Sequence, residues 1–210
     1  MLSKTLPIIF DVPTIALFEK RLLNVPNYKF KFKPDAKDAA VLVPLCLVNK
    51  KPSVLFTVRN LHMRTHRGEI SFPGGKADLS DTSLEMTALR ETTEEIGIAS
   101  SAIDILGQYS VVPNKNGSLR VHPFVGLIRQ EIDPATLNFN PDEVSSVFSL
   151  PLEYLIQPSV REIRGFRDSQ HKYTIFKIPD DLPGEEREIW GLTSFIMDGI
   201  FRRILNDVYQ

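Results

Sequence analysis

The stretch Phe72-Pro73-Gly74-Gly75, followed by Arg90-Glu91-Thr92-Thr93-Glu94-Glu95-Ile96-Gly97-Ile98, decides how the rest of this chain is read. The first segment is a sharp turn. Asp81 to Ile96 has helical spacing, with Asp81 or Thr82 available as N-cap and Gly97 as the stop. Each helical residue advances about 100°, so Glu91, Glu94 and Glu95 share an arc roughly 100° wide. Ala88, Leu89, Thr92 and Ile96 lie on the neighbouring arc and can face a core. Carboxylates crowded on one stripe repel each other, at a cost of about a few tenths of a kcal/mol per i,i+4 pair. A hard divalent cation resolves that repulsion, and Mg²⁺ combines carboxylate oxygens with retained waters and substrate phosphates. A solvated acidic face has the same composition, so the stripe takes its meaning from its surroundings.

Upstream, Ala39–Val48 and Ser53–Arg59 are rich in β-formers and are separated by the turn-like Asn49-Lys50-Lys51-Pro52, which predicts a hairpin. Residues 60–71 are polar and irregular. Downstream, strands are expected near Ile103–Val112, Leu119–Arg129, Val144–Phe148 and Tyr173–Ile178. Leu152–Ile156 reads as a short helix and Glu188–Leu205 as a closing one, with Trp190 in its apolar pattern. At the other end, Thr14–Leu23 has helical spacing and the basic stretch Pro26–Pro34 reads as a connector. The chain thus divides into residues 1–36, a helix and connector, and residues 37–210, an α/β domain. Irregular alternation with hairpins predicts a mixed sheet covered by helices, not a doubly wound parallel one.

The chain has 210 residues, 42% hydrophobic and 24% charged, the balance of a globular protein with a core. Its formal net charge of −1 gives no broad field for nucleic acid or an anionic membrane, so recognition of a polyanion requires a local cluster. The single cysteine, Cys46, lies in an apolar run and reads as a small buried hydrophobe. No apolar stretch reaches the length of a membrane span. The N-terminus lacks an Arg-rich amphipathic pattern, and Val208-Tyr209-Gln210 is not a peroxisomal tripeptide. The compartment stays open between mitochondrion, peroxisome and cytosol.

The segment from Gly75 through Asp81 to Arg90-Glu91 and Glu94-Glu95-Ile96-Gly97-Ile98 resembles the Nudix box, G-x5-E-x7-R-E-U-x-E-E-x-G-U with U apolar. Asp81 falls in the first acidic slot, eight residues rather than seven precede Arg90, and Thr92 occupies an apolar slot. Just upstream, Thr57, Arg59, Arg64, Gly68 and Phe72 to Gly75 resemble the added signature of the coenzyme A diphosphatase branch, L-L-T-x-R-[SA]-x3-R-x3-G-x3-F-P-G-G. Phe56 and Asn60 depart from it, the second replacing a small residue. The resemblance implies an α/β/α sandwich with a mixed β-sheet. It also implies Mg²⁺, with Mn²⁺ as a substitute, held by Glu91 and Glu95, with Glu94 as a further or through-water ligand and Gly75 lending a carbonyl. Asp81 in the first slot would pair with Arg90.

The implied substrate is coenzyme A or an acyl or oxidised derivative, cleaved to adenosine 3′,5′-bisphosphate and 4′-phosphopantetheine or its acyl form. Its phosphates call for cations, and Arg59, Arg64, Arg67 and Lys76 are the candidate cluster, with guanidinium forks suited to phosphate oxygens. Phe72 reads first as packing for the turn and second as a substrate contact. His62 and His66, four apart, lack the companions of a zinc site, and His66 fits a loop or phosphate contact better. The proton of the attacking water would pass to Glu91, Glu94 or Glu143. Competing expectations are another nucleotide diphosphate (an oxidised nucleoside triphosphate, NADH, ADP-ribose) or a silent binding module. The partner is then a small molecule, with no nucleic acid or membrane, and the chain a monomer or homodimer.

Overall fold

A computed structural model describes residues 8–26, 28–62, 67–165, 172–182 and 187–209. The elements in order are α1 (Val12–Leu22), β1 (Lys37–Val48), β2 (Lys51–Arg59), β3 (Ile70–Ser71), β4 (Gly74–Lys76) and α2 (Leu84–Ile96). They continue with β5 (Ile103–Gln108), β6 (Val112–Pro113), β7 (Leu119–Glu131), β8 (Val144–Pro151) and α3 (Leu152–Leu155). The last are β9 (Arg161–Gly165), β10 (Lys172–Lys177), β11 (Glu188–Ile189) and α4 (Gly191–Ile204).

The main sheet is mixed. Its path runs β3-β2-β1-β7-β5, with β4 on β1, β6 on β7 and β8 on β2. β1 and β7 run parallel, and the other described pairs are antiparallel. Asn49 and Lys50, both with positive φ, make the tight turn between β1 and β2. That conformation matches the right-handed twist of the flanking strands.

Period-two alternation sends each strand's side chains to two different cores. Ala40, Leu42 and Cys46 of β1, with Leu55 of β2, pack under Ala88, Leu89 and Ile96 of α2. Ala39, Val43, Leu45, Val54 and Phe56 face the opposite way, toward α1 and α4 through Phe18, Leu22, Met197 and Ile200. The result is a sheet layered between α2 on one side and α1 with α4 on the other.

One irregularity positions the site. β1 and β2 pair only near their shared turn, at Leu45 to Val48 against Lys51 to Val54. Beyond that they part, and β3 continues along β2 (Thr57 opposite Ser71) while β4 continues along β1 (Ala40 opposite Gly75). The Phe72-Pro73 turn bridges the gap, with Leu42 N donating to Pro73 O at 2.9 Å. Phe72 is buried there and stacks on Phe56, ring centroids 5.4 Å apart.

Several expected boundaries move. α2 begins at Leu84 with Ser83 as N-cap, its hydroxyl accepting from Met86 N, and neither Asp81 nor Thr82 caps it. Asp81 is drawn instead to Arg90. The expected strand Ile103–Val112 breaks into β5 and β6 after Gln108, beside Gly107, which has positive φ and lies against Leu22. The closing helix starts at Gly191, because Glu188-Ile189 pair with β10 as a strand and Glu188 binds Arg164. β9 was not anticipated. Trp190 caps α4 and is half-buried.

Candidate active site

The site is built around the last two turns of α2. Glu95 is 3% exposed, the most deeply set of the helix's acidic groups. Glu91 is half-buried beside it, and Glu94 points outward. Thr92, in the slot where the family pattern is apolar, is fully buried and donates its hydroxyl back to Ala88 O at 2.7 Å, so no polar group is orphaned. Gly97 closes the helix in the left-handed conformation, φ 72°, with its N–H donating to Thr93 O.

Arg90 organises the acidic face. Its Nε and Nη2 donate to the two oxygens of Asp81 at 2.9 and 3.0 Å, while Nη1 reaches Glu91 Oε1 at 3.0 Å and Glu94 Oε2 at 2.9 Å. The guanidinium beside Asp81 holds that carboxyl well below the usual range. Upstream, the turn Asp78–Asp81 fixes this carboxylate, with Asp81 N donating to Asp78 O and Asp78 N to Asp81 Oδ2. The expected acidic stripe is therefore divided. Glu94 is tied to Arg90 on the surface, and Glu91 and Glu95 face inward.

What they face comes from the parted strands. Leu55 lies on the α2 side of β2, so alternation carries Thr57 and Arg59 to that side too. Arg59 Nη1 stands 4.0 Å from Glu95 Oε1. Gly75 sits against Glu91: a Cβ there would lie 2.5 Å from Oε2 and nearer still to Cδ and Oε1. The glycine is required by this carboxylate itself, besides any use of its carbonyl.

Glu143 completes the group from another loop. Asn140 N donates to Glu95 O at 2.9 Å, and Asn140 O receives both Glu143 N and Val144 N. Asn60 N donates to Glu143 O, its side-chain amide donates to Pro141 O, and its Oδ1 accepts from His62 N. Sequence reading did not select Asn60 or Asn140 as contributors to the site. The available signal was Asn60 itself, an amide where the signature has a small residue.

Burial pushes Glu95 up to about 8, opposed by Arg59 and reinforced by Glu91 and Glu143. Burial also raises Glu91, against the lowering effect of Arg90. Carboxyls that resist ionisation through burial and mutual repulsion form a site that favours an added positive charge. Among the described residues, no three His, Cys, Asp or Glu side chains converge well enough to hold a metal unaided. The donor set still fits magnesium, which typically takes one or two carboxylates and completes its octahedron with waters and substrate phosphate.

The remaining candidates divide. Arg67 is exposed and adjoins Gly68, whose N–H donates to Arg59 O. Lys76 follows Gly75 in β4, so its side chain leaves the face opposite Glu91. Phe72 is a core residue of the turn with little surface left for a substrate. Arg64 and His66 lie outside the described residues.

Residues 36–170 match the NUDIX domain. The chain is 35% identical over 208 residues to Nudix hydrolase 3 of Caenorhabditis elegans, covering 92% of this chain and 85% of that one. It is 37% identical over 195 residues to the mitochondrial coenzyme A diphosphatase NUDT8 of Homo sapiens, covering 91% and 78%. Among solved structures, a MutT/nudix family protein from Enterococcus faecalis superposes with a TM-score of 0.52 at 19% identity, covering 87% of this chain and 65% of that one.

Proposed function

Because the chain belongs to the Nudix hydrolase family, we propose that it uses Mg²⁺ to hydrolyse the diphosphate bond of coenzyme A or its acyl or oxidised derivatives. The observation that carries the reading is the inward pair, Glu91 pressed against Gly75 and Glu95 facing Arg59, the arginine of the coenzyme A signature. Similarity to a human coenzyme A diphosphatase along 91% of the chain supports the choice of substrate.

Glu91 and Glu95 would hold the ion, with the Gly75 carbonyl beside them and Glu94 reaching it through water. An ion bound there would supply polarisation of the phosphate oxygens and a lowered pKa for the attacking water. Arg59 partly offsets the charge of Glu95 and presents its fork to the phosphate. Arg90, engaged with Asp81, Glu91 and Glu94, sets the inward angle of Glu91 and touches no substrate. Glu143 accepts the water's proton. Its carboxylate has no hydrogen-bond partner among the described residues, yet it stands close enough to raise both Glu91 and Glu95. Glu91 and Glu94 already accept from Arg90, which makes them poorer bases. Since phosphoryl transfer asks little covalent chemistry of a protein, positioning and charge supply most of the rate.

Purified protein incubated with coenzyme A and Mg²⁺, then resolved by chromatography, should yield adenosine 3′,5′-bisphosphate and 4′-phosphopantetheine. If neither appears while NADH or ADP-ribose is cleaved under the same conditions, the substrate is another nucleotide diphosphate.

A further inference from the structure

Among the described residues, the two arginines beside the carboxylate pair are already engaged. Arg59 stands against Glu95, and Arg90 is bound to three carboxylates. On the same sheet face, Arg120 is bidentate to Asp38 at 2.8 and 3.0 Å, and His122 Nε2 shares Asp38 Oδ1. Asp38, held down to about 2 chiefly by its bond from Arg120, neutralises that guanidinium. A substrate bearing a further phosphate, remote from the scissile diphosphate, needs positive charge from elsewhere.

The opposite face supplies it. Lys76 pairs with Ala39, whose side chain lies in the core toward α1 and α4, so Lys76 projects to that face. Lys37 is two residues before Ala39 and pairs with Leu119, which packs on the same core. The two lysines are therefore diagonal neighbours, with Cα atoms about 7–8 Å apart. Lys33 joins them through the turn in which Ala36 N donates to Lys33 O, flanked by Lys33 N to Gly117 O and Lys37 N to Ser118 O. All three lysines are exposed, and none has an ion-pair or hydrogen-bond partner for its ammonium among the described residues.

This lysine edge also lies close to the chemistry. Lys76 is the chain neighbour of Gly75, against which Glu91 rests. β4 pairs with β1 alone among the described strands, leaving its outer edge open at the gap between β1 and β2. A nucleotide crossing that edge can present its diphosphate to Glu91 and Glu95 and its ribose to the lysines.

We propose that Lys37 and Lys76, with Lys33 beside them, form a subsite for a phosphate monoester on the substrate's ribose and so select 3′-phosphorylated over dephosphorylated dinucleotides. The inference rests on the coenzyme A reading and assigns a specificity element within it. A dianionic monoester gains more from two ammonium groups than a neutral hydroxyl does, and the gain appears as discrimination between the two substrates.

The test compares kcat/KM for coenzyme A and 3′-dephospho-coenzyme A in the wild type and the double variant Lys37→Gln/Lys76→Gln. Both positions are exposed, and an unchanged melting temperature certifies the fold. The variant should lose about tenfold or more in the ratio of coenzyme A to its dephospho form, a shift of roughly 1.4 kcal/mol. An unchanged ratio, including an equal fall for both substrates, overturns the subsite while leaving the coenzyme A reading intact. If the wild type cleaves neither compound, that reading fails. Calorimetric binding of adenosine 3′,5′-bisphosphate against adenosine 5′-monophosphate then decides separately: wild-type preference for the bisphosphate that the variant loses supports the lysine edge, and equal binding overturns it.

Discussion

Replacing Gly75 by alanine isolates the geometry on which the site depends. Gly75 does not have the positive φ of its neighbour Gly74, so alanine introduces no comparable backbone strain. The added methyl would lie 2.5 Å from Glu91 Oε2, where ordinary contacts begin at 3.4 Å. Glu91 must retreat by roughly 1 Å, a displacement that can cost about 10²-fold when it misplaces a reacting group. The effect on folding should be small, about 1–2 kcal/mol at most, because a half-buried carboxylate can turn aside more easily than a packed core. The assay pairs kcat/KM on coenzyme A with a thermal melt, and adds Glu91→Asp and the double variant. Shortening the side chain makes room for the methyl, so Gly75→Ala should cost much less in the Glu91→Asp background than alone. Additive losses, or a fully active Gly75→Ala, would refute the claim that this glycine exists to seat Glu91.

Other expectations follow from the same contacts. Asp81→Ala removes the two-bond partner of Arg90 and should cost about 1–3 kcal/mol, seen in chemical denaturation as a lower midpoint. Because Glu95 titrates near 8 when folded and near 4.5 when unfolded, the native state binds the extra proton between those values. Its contribution to metal-free stability is thus present at low pH and fades as pH rises toward 8, so the melting temperature should fall across that window. Mg²⁺ favours the ionised form and should flatten that fall, whereas the same slope with and without Mg²⁺ would count against Glu95 as a ligand. Glu95→Gln should abolish that component of the pH slope in the metal-free protein and lower kcat at least tenfold, while an unchanged kcat would make the buried carboxylate a structural feature only. Asn60→Ala removes the amide's bond to Pro141 O while keeping the main-chain bond to Glu143 O, so it loosens the 140–143 loop and should reduce kcat more than it raises KM, by about tenfold. An unaffected kcat would show that the loop holds Glu143 without that amide.

Helical winding made part of the site visible in the bare sequence. The spacing of Ala88, Leu89, Thr92 and Ile96 identified the buried side of α2, and Gly97 marked its end. Winding could place Glu91, Glu94 and Glu95 on one arc but could not say which would turn inward. That choice depends on Arg90, whose fork draws Glu94 outward, and on the partners that β2 and β4 bring to Glu91 and Glu95. The mixed sheet and the β1–β2 hairpin followed from alternation and turn chemistry, whereas the early parting of those strands is a pairing outcome with no local signature. Glu188-Ile189 has a composition compatible with helix, and its strand state is set by β10 across a long separation in sequence. Asp81 was a sound candidate cap on composition alone. A guanidinium nine positions away claims it, leaving Ser83 to cap the helix.

The bond from Asn140 N to the main-chain oxygen of Glu95 has a mechanical meaning. A loop fastened to the backbone of the very residue whose side chain it faces must travel with that residue. If the last turn of α2 breathes, Glu143 rides along, and the gap between the two carboxylates keeps its width while the floor beneath both shifts.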